Sequence, residues 1–259
     1  MQDGMYSALF GALTCEHRLD IIANNLANAD TSGYKQDRTA FEDVFVEFAH
    51  DKIFQPKLSL RDKPLFPPPT EVSKVRVAEI STDFSQGALK QTGNPLDVAI
   101  VGEGFFKVRT PDGDFFSRDG SFVLSPEGIL MTPQGFPVLG GGGEIAIPEG
   151  KQIEIDGGGN VFVDHVQVGQ LDVSTVSDPK AMQKFGRNLY FLPEDAEAVE
   201  QELESIQVSQ GYLEASNINV VEEMVNMIET QRAFEAYQKV IKGVDEMDRE
   251  AISRVAKAT

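Results

Sequence analysis

The chain has 259 residues, of which 41% are hydrophobic and 25% charged, a composition that fits one large globular core or two modest domains. Its formal net charge of −18 would repel a nucleic-acid backbone or an anionic membrane, so no nucleic-acid partner is expected. No apolar run approaches the roughly 20 residues of a membrane span, and the N-terminus lacks a signal-peptide pattern. We therefore expect a protein that is not membrane-inserted and is either cytosolic or exported without signal cleavage.

The N-terminal segment, residues 1–33, has the pattern of an assembly helix that begins near Asp3. A stripe of mostly apolar residues recurs in alternating steps of four and three, close to the ~3.5-residue period of a supercoiled seam. Its members are Met5, Leu9, Ala12, Glu16, Leu19, Ala23 and Leu26. The turn sequence Asp30-Thr31-Ser32-Gly33 predicts that the helix ends near Ala29.

Residues 34–77 are predicted to be an extended linker region. Four apolar residues, Phe41, Val44, Phe45 and Phe48, suggest a short amphipathic or extended piece. Pro56, Pro64 and Pro67-Pro68-Pro69 then exclude a continuing helix. The stretch from Ile53 to Glu71 is either an extended connection or a loop that is disordered before assembly.

The middle of the chain, residues 78–193, has the pattern of an antiparallel β-rich domain. Apolar residues alternate with a period of two, and turn sequences such as Pro111-Asp112-Gly113 and Ser125-Pro126-Glu127-Gly128 separate the runs. Many short strands with frequent turns predict a sandwich or an irregular barrel. The return segment, residues 194–218, opens with six acids between Glu194 and Glu204, which predict a short solvated helix or a charged loop.

A second assembly helix is predicted over residues 219–259. Asn219 is a suitable N-cap, with Glu222 three positions later. Apolar residues recur at Val221, Met224, Ile228, Phe234, Tyr237, Ile241, Val244, Met247, Ala251 and Val255, interrupted by Gln231. At about 1.5 Å per residue the helix would be a rod of roughly 50 Å.

The predicted fold class is therefore α+β, with a β-rich domain inserted between two long terminal helices. Both helical stripes are narrow, rich in alanine and methionine, and interrupted by polar residues. This pattern favours a coiled-coil-like assembly domain in which the terminal helices pack on each other and on copies from neighbouring subunits. The alternative is an N-terminal helix that only caps the middle domain.

No catalytic, cofactor or metal site is predicted. Gly102-Glu103-Gly104 lacks the third glycine of a dinucleotide loop, and Gly140 to Gly143 lacks the lysine of a phosphate loop. Asp112 and Asp114 are better explained as a hairpin turn than as a calcium loop. The three histidines have no ligand spacing, and Cys15, the only cysteine, is better explained by packing in a helix bundle than as a nucleophile. A glycan-active enzyme or a soluble adaptor are the competing classes.

Several blocks of sequence carry a family resemblance. They are Asn24–Lys35 (NNLANADTSGYK), Thr82–Gly87, Thr92–Ile100, Gly104–Phe106, Ser117–Phe122, Ser216–Ile228 and Gln231–Glu235. In this order, and across nearly the whole chain, the blocks resemble the bacterial flagellar rod and hook proteins. Chain length and the segment Val168–Val173 are most similar to the proximal-rod branch of the family, with the distal-rod branch as the alternative and a hook-type axial protein less favoured.

The resemblance implies a non-catalytic structural subunit of the periplasmic rod in the flagellar basal body. It implies export through the flagellar type III apparatus without signal cleavage, and paired terminal helices that line a channel and transmit torque. The implied partners are further copies of the chain and rod subunits of the FlgB, FlgC and FlgG types.

Thirteen residues are predicted to contact partners. The apolar members are Leu9, Leu19, Leu26, Met224, Ile228, Phe234, Tyr237 and Ile241, and the polar members are Asn24, Asn25, Asn28, Gln231 and Arg232. Buried amides penalise misaligned packing, so the three asparagines and Gln231 are predicted to set register between helices. The alternative is a solvated helix end for the asparagines and a tolerated polar residue for Gln231.

Overall fold

A computed structural model describes residues 2–46, 72–141, 143–148, 152–193, 196, 198–202 and 206–257. The predictions for Ile53 to Glu71 and for Phe48 lie outside these residues, as does His50, one of the three histidines. The chain divides into two compact units. We call Met1–Ala23, Arg38–Ser81 and Met224–Thr259 the terminal unit, and Asn24–Asp37 with Thr82–Glu223 the β-rich unit.

Two long helices dominate the terminal unit. Helix α1 covers Gln2–Ala27 and helix α2 covers Val220–Lys257, so each runs a few residues into the β-rich unit. The backbone amide of Glu222 donates to the Asn219 side chain at 3.4 Å, which confirms the predicted N-cap. Helix α1 ends two residues earlier than predicted, and Gly33 has a positive φ of 68° in the turn that follows.

Strands β1 (Asp37–Val46) and β2 (Val72–Thr82) pair with each other in a region predicted to be an extended linker. The two strands lie on either side of the predicted connection from Ile53 to Glu71, which stays a prediction. Alternating β-branched residues around Val75 and Val77 favour a strand, and the prolines that suggested a linker lie between the two strands.

The β-rich unit contains short strands. They are β3 (Leu89–Gln91), β4 (Val98–Ile100), β5 (Phe105–Thr110), β6 (Gly113–Ser117), β7 (Val123–Leu124), β8 (Leu130–Met131), β9 (Leu139–Gly140), β10 (Gly143–Glu144), β11 (Ile153–Ile155), β12 (Asn160–Val163), β13 (Val166–Gln170), β14 (Val173–Val176), β15 (Gln183–Gly186), β16 (Leu189–Phe191), β17 (Glu200–Glu202), β18 (Val208–Gln210) and β19 (Tyr212–Glu214). A short 3-10 helix covers Pro179–Ala181.

The largest sheet has the order β15-β16-β6-β5-β14-β17, and neighbouring strands in it are antiparallel. A three-stranded sheet, β11-β12-β13, and several two-stranded sheets complete the described part of the unit. The main core includes Phe106, Phe122, Leu130, Val138, Val161 and Leu171. The α+β class is confirmed, whereas the acidic segment predicted as a helix or loop contains strand β17 at its end.

The predicted hairpin turn at Asp112 and Asp114 is confirmed. Strands β5 and β6 pair from Phe106 with Ser117 to Thr110 with Gly113. The Asp114 carboxylate accepts hydrogen bonds from the Arg109 guanidinium at 2.8 and 3.0 Å. This acid is therefore an ion-pair partner within the hairpin.

Candidate functional site

The two terminal helices pack against each other within the terminal unit. Gly11 of α1 lies under the ring of Tyr237 of α2, and a Cβ atom at Gly11 would come within 2.5 Å of that ring. Beyond this contact, a groove of about 380 Å³ is lined by Gly11, Thr14, Cys15, Arg18, Glu229, Thr230, Ala233 and Tyr237. The lining residues lie after Gly11 on α1 but before Tyr237 on α2, so the two helices run antiparallel.

Cys15 is half-buried in this groove. Burial raises the pKa of its thiol, and the positive charge of Arg18 opposes that shift more weakly. A thiol with a raised pKa is a poor nucleophile at neutral pH. The side chain therefore fits the predicted packing role at a helix interface.

The outer faces of both helices expose apolar side chains near their beginnings. On α1 these are Tyr6, Leu9, Phe10 and Leu13, which we call the N patch. On the part of α2 that belongs to the terminal unit they are Met224, Val225 and Ile228, which we call the C patch. Leu9 is 44% exposed and Ile228 is 51% exposed. Clustered exposed side chains of this size mark an interaction surface more often than an ordinary solvent face.

The predicted partner contacts differ widely in exposure. Leu9, Asn24, Met224, Ile228, Gln231, Arg232 and Tyr237 are exposed; Leu19, Leu26, Asn28, Phe234 and Ile241 are half-buried; and Asn25 is buried. The predicted stripe on α1 is therefore not a single buried seam, because Ala12 in it is buried while Leu9 faces solvent. The buried face of α1 is centred on Ala8, Ala12 and Ile22. The predicted stripe therefore runs along the boundary between this buried face and the exposed face.

The predicted asparagines make hydrogen bonds inside the β-rich unit. Asn25 donates to the carbonyl of Asp37 at 2.9 Å and accepts from its backbone amide at 3.0 Å. Asn28 donates to the Asn24 carbonyl at 2.9 Å, and Tyr34 donates its hydroxyl to the Asn24 side chain at 2.9 Å. Asn25 thus fastens the end of α1 to the chain that leaves it, and its predicted contact with a partner stays a prediction.

A buried ionic cluster, which we call the Glu214 hub, joins three distant parts of the β-rich unit. The Glu214 carboxylate accepts from the Lys35 ammonium at 2.6 Å, from the Arg118 guanidinium at 2.6 Å and from the Gly87 amide at 2.8 Å. Lys35 follows α1, Arg118 follows β6, and Glu214 precedes α2. All three side chains are at most 4% exposed, so the charges are shielded from water.

The remaining donors of the hub are also satisfied. Arg118 donates to the carbonyls of Ile100, Gly102 and Gly104, and Lys35 donates to the carbonyl of Ser85 at 2.7 Å. Burial lowers the pKa of the Lys35 ammonium, although the Glu214 carboxylate acts in the opposite direction. A buried ion pair stabilises a fold only when its hydrogen bonds are completed in this way.

Backbone and amide contacts surround the hub. Gly33 donates its amide to the carbonyl of Glu214 at 2.8 Å. Asn217 accepts from the Gln36 amide at 2.9 Å and donates to the Asp83 carbonyl at 2.8 Å. The segments after α1, before β3 and before α2 are therefore held at one place in the unit.

Replacing Gly87 by alanine is expected to destabilise the β-rich unit strongly. A Cβ atom there would overlap the backbone carbonyl of Ala215, which cannot move without shifting the start of α2. Overpacking of this kind typically costs about 1–3 kcal/mol. Urea unfolding should show a lower midpoint for Gly87→Ala, whereas Gly157→Ala, where no atom lies within 4 Å, should be nearly neutral. Equal midpoints would contradict the described approach of the two segments.

Replacing Asp119 by asparagine is expected to raise thermal stability at neutral pH. Burial raises the pKa of the Asp119 carboxyl, although hydrogen bonds from Ser121 oppose the shift. A carboxyl whose pKa is raised on folding stabilises the protein at a pH below its unfolded-state pKa of ~3.9. This stabilisation is lost as the pH rises through the folded-state pKa. The melting temperature of Asp119→Asn should exceed that of the natural chain at pH 7, and the difference should shrink toward pH 4.

Asp156 provides a control of opposite sign. Hydrogen bonds from Asn160 lower the pKa of the Asp156 carboxyl, so its stabilisation is present at neutral pH and is lost as pH falls through the folded-state pKa. Asp156→Asn should melt no higher than the natural chain at pH 7. A lower melting temperature for Asp119→Asn at that pH would contradict the assignment of a desolvated carboxylate.

The sequence patterns did not identify the members of the Glu214 hub. Lys35 and Arg118 lie in blocks that carry the family resemblance, but neither was predicted to have a role. The local sequence feature that could have indicated a buried charge is a lone charged residue next to short apolar runs, as in Tyr212-Leu213-Glu214. Among the described residues, no group of three or more histidine, cysteine or acidic side chains is arranged to hold a metal ion, and no helix is long and apolar enough to cross a membrane.

Three family models match separate parts of the chain. The flagella basal body rod protein model matches residues 5–35, the flagellar hook protein FlgE/F/G D1 domain model matches 99–163, and the flagellar basal body rod FlgEFG protein C-terminal model matches 209–254. Each matched range supplies one member of the Glu214 hub.

Similarity to individual proteins extends over the whole chain. The flagellar basal-body rod protein FlgF of Caulobacter vibrioides is 36% identical over 259 residues, covering 99% of both chains. FlgG of Buchnera aphidicola from Acyrthosiphon pisum is 37% identical over 88% of this chain and 90% of that protein. FlgF of Rhizobium meliloti is 32% identical over 91% of this chain and 90% of that protein.

Proposed function

Because the chain belongs to the flagellar basal-body rod protein family, we propose that it is a structural, non-catalytic subunit of the flagellar rod. It polymerises through its terminal helices, transmits torque and helps to line the export channel. The observation that carries the proposal is the full-length similarity to a rod protein, combined with apolar patches on the outer faces of both terminal helices.

The proposed mechanism couples completion of the helical layer to assembly. In a single copy, side chains such as Leu9 and Ile228 remain exposed to water and add little hydrophobic stabilisation. Contact with neighbouring subunits removes that surface from water, at about 25 cal/mol per Å² before ordering costs. Head-to-tail contacts of this kind repeat without closing and therefore extend a shaft.

Within the family, the FlgF or proximal-rod branch is favoured and the FlgG or distal-rod branch is the alternative. The full-length match to a FlgF supports the first assignment. Matches of similar identity to FlgG proteins support the FlgG alternative. A hook-type axial protein is a weaker candidate because the relatives named above are rod proteins.

The proposed partners are further copies of the chain and rod subunits of the FlgB, FlgC and FlgG types. The proposed location is the periplasmic part of the basal body, reached through the flagellar type III apparatus without signal cleavage. A coiled-coil-like arrangement of terminal helices from several subunits is part of the same proposal. The antiparallel packing of α1 on α2 supports it by supplying a two-helix layer with two outer faces.

Labelled electron microscopy of isolated basal bodies tests this function. A small epitope inserted at Gly157, in an open turn of the β-rich unit, should appear on the rod close to its inner-membrane end. Label at the end near the hook would favour the FlgG assignment. Absence of label from basal bodies, with the chain in a one-to-one complex elsewhere, would contradict the proposal and favour a soluble adaptor.

A further inference from the structure

The β15–β16 hairpin holds the segment that follows α1 at two points. Arg187 and Asn188, with positive φ of 52° and 59°, form the two-residue turn of this hairpin. The Asn188 side-chain amide donates to the carbonyl of Ser32 at 2.9 Å. In strand β15, the Lys184 ammonium donates to the carbonyl of Lys35 at 2.7 Å. Side chains of the hairpin therefore fix the backbone of the segment that leaves α1.

Lys184 makes two further contacts with the same segment. Its ammonium forms an ion pair with the Asp37 carboxylate at 2.8 Å and lies 4.3 Å from the centre of the Tyr34 ring. A cation at this distance from an aromatic ring is attracted to it. The side chains of Lys184 and Asp37 are 25% and 20% exposed, so water and salt screen this pair less than a pair on the open surface.

Both residues that Lys184 contacts are bonded to the last turn of α1. The Tyr34 hydroxyl donates to the Asn24 side chain at 2.9 Å. The backbone of Asp37 exchanges two hydrogen bonds with the Asn25 side chain, at 2.9 and 3.0 Å. Lys184 is therefore linked to α1 by two routes, each of which passes through a single residue. All of these residues belong to the β-rich unit.

We propose that Lys184 is a positioning residue for assembly, which restricts the last turn of α1 by holding Tyr34 and Asp37. This inference rests on the proposed rod function and adds a residue on which assembly depends. A helix that is loosely held before assembly loses more conformational freedom on contact with neighbouring copies, so its association is weaker. Restriction of the last turn by Lys184 reduces that cost.

This role is separate from that of the Glu214 hub. Lys184 binds the backbone carbonyl of Lys35, whereas the hub binds the Lys35 side chain. Removal of the Lys184 ammonium should therefore loosen the end of α1 while the hub and the hydrophobic core remain in place. An ordinary surface ion pair would instead contribute little to either property.

Hydrogen exchange on the isolated full chain, together with incorporation into isolated basal bodies, tests the proposal. Lys184→Met removes the ammonium but keeps most of the side-chain stem. Lys184→Arg keeps a cation that can bind the same carbonyl, carboxylate and ring. Lys180→Met is the matched control, because it removes a lysine charge from an exposed position four residues earlier.

In Lys184→Met, the amides of residues 24–28 should exchange several-fold faster, those of the core around Phe106 and Val161 should be unchanged, and incorporation should fall several-fold. Lys184→Arg and Lys180→Met should resemble the natural chain in both measurements. If Lys184→Met does not fold, Asp37→Asn, which removes the ion pair alone, should show the same changes to a smaller extent.

Unchanged exchange of residues 24–28 in Lys184→Met would overturn the positioning role and leave the rod function intact. Faster exchange with full incorporation would show that assembly does not depend on this restriction, and would also overturn the proposal. Equal loss of incorporation in Lys180→Met would contradict a role specific to Lys184. Absence of the natural chain from basal bodies would overturn the rod function itself.

Discussion

Replacing Ile228 by aspartate is expected to keep the chain out of the rod while leaving the β-rich unit folded. Ile228 is exposed in the single chain, and surface substitutions of this kind usually change stability by less than about 0.5 kcal/mol. In an assembled contact the same carboxylate would be removed from water among apolar side chains, which costs several kcal/mol. Cells carrying Ile228→Asp should therefore be non-motile and lack the chain in isolated basal bodies.

Gln238→Asp is the matched control for this variant. It places the same carboxylate on an exposed position of the same helix, away from the C patch, and should retain motility. Phe234→Asp should also block assembly, but Phe234 is half-buried, so its packing within the terminal unit should weaken as well. If Ile228→Asp lowers the melting temperature of the β-rich unit, the division between assembly helices and that unit is wrong.

Replacing Glu214 by glutamine is expected to cause the largest loss of stability in the β-rich unit. The change would leave Lys35 and Arg118 as buried cations without an anion, and breaking a buried pair typically costs roughly 3–5 kcal/mol. Urea unfolding followed by circular dichroism should give a much lower midpoint. Lys35→Met should lose less, because Glu214 keeps Arg118 as its partner.

The exposed pair Arg109–Asp114 is the control for the Glu214 hub. Its side chains are about half exposed, at 51% and 47%, and an ion pair in water contributes little to stability. Asp114→Asn should therefore change the urea midpoint only slightly. A similar midpoint for Glu214→Gln and Asp114→Asn would contradict the conclusion that the hub stabilises the junction of the three chain segments.

The helices and the β-rich character of the middle could be predicted because both depend on local periodicity. Asn219 illustrates this: a cap, an acid three residues later and a following apolar run identify the start of α2 without tertiary information. The alternation of apolar residues likewise indicated strands between residues 78 and 193. Each signal is contained within one element, so the sequence alone suffices.

The division of each helix into a packed face and an exposed patch could not be predicted from the stripe. Leu9 and Ala12 are equally suitable members of a heptad pattern, yet one is exposed and the other is buried. Which face packs depends on the second helix, where the ring of Tyr237 covers Gly11. A glycine in a helical pattern ordinarily weakens the prediction of a helix, and here it makes room for an aromatic ring.

The Glu214 hub was beyond prediction for a different reason. Lys35 and Glu214 are 179 positions apart, and nothing in either local sequence distinguishes a buried charge from a solvated one. The same limit applies to Asn25, whose hydrogen bonds with Asp37 in the same chain could not be predicted from the sequence. Hydrogen-bond and ion-pair partners that are distant in the sequence produce no periodic pattern of residues.

Hydrogen exchange on the isolated chain and on isolated basal bodies tests most directly whether neighbouring copies cover the outer faces of the terminal helices. In the isolated chain, amides of residues 5–15 and 222–230 should exchange much faster than those of the β-rich core around Phe106 and Val161. In basal bodies the same helical amides should become strongly protected. Full protection of both helices in a single dilute copy, unchanged on assembly, would contradict the account.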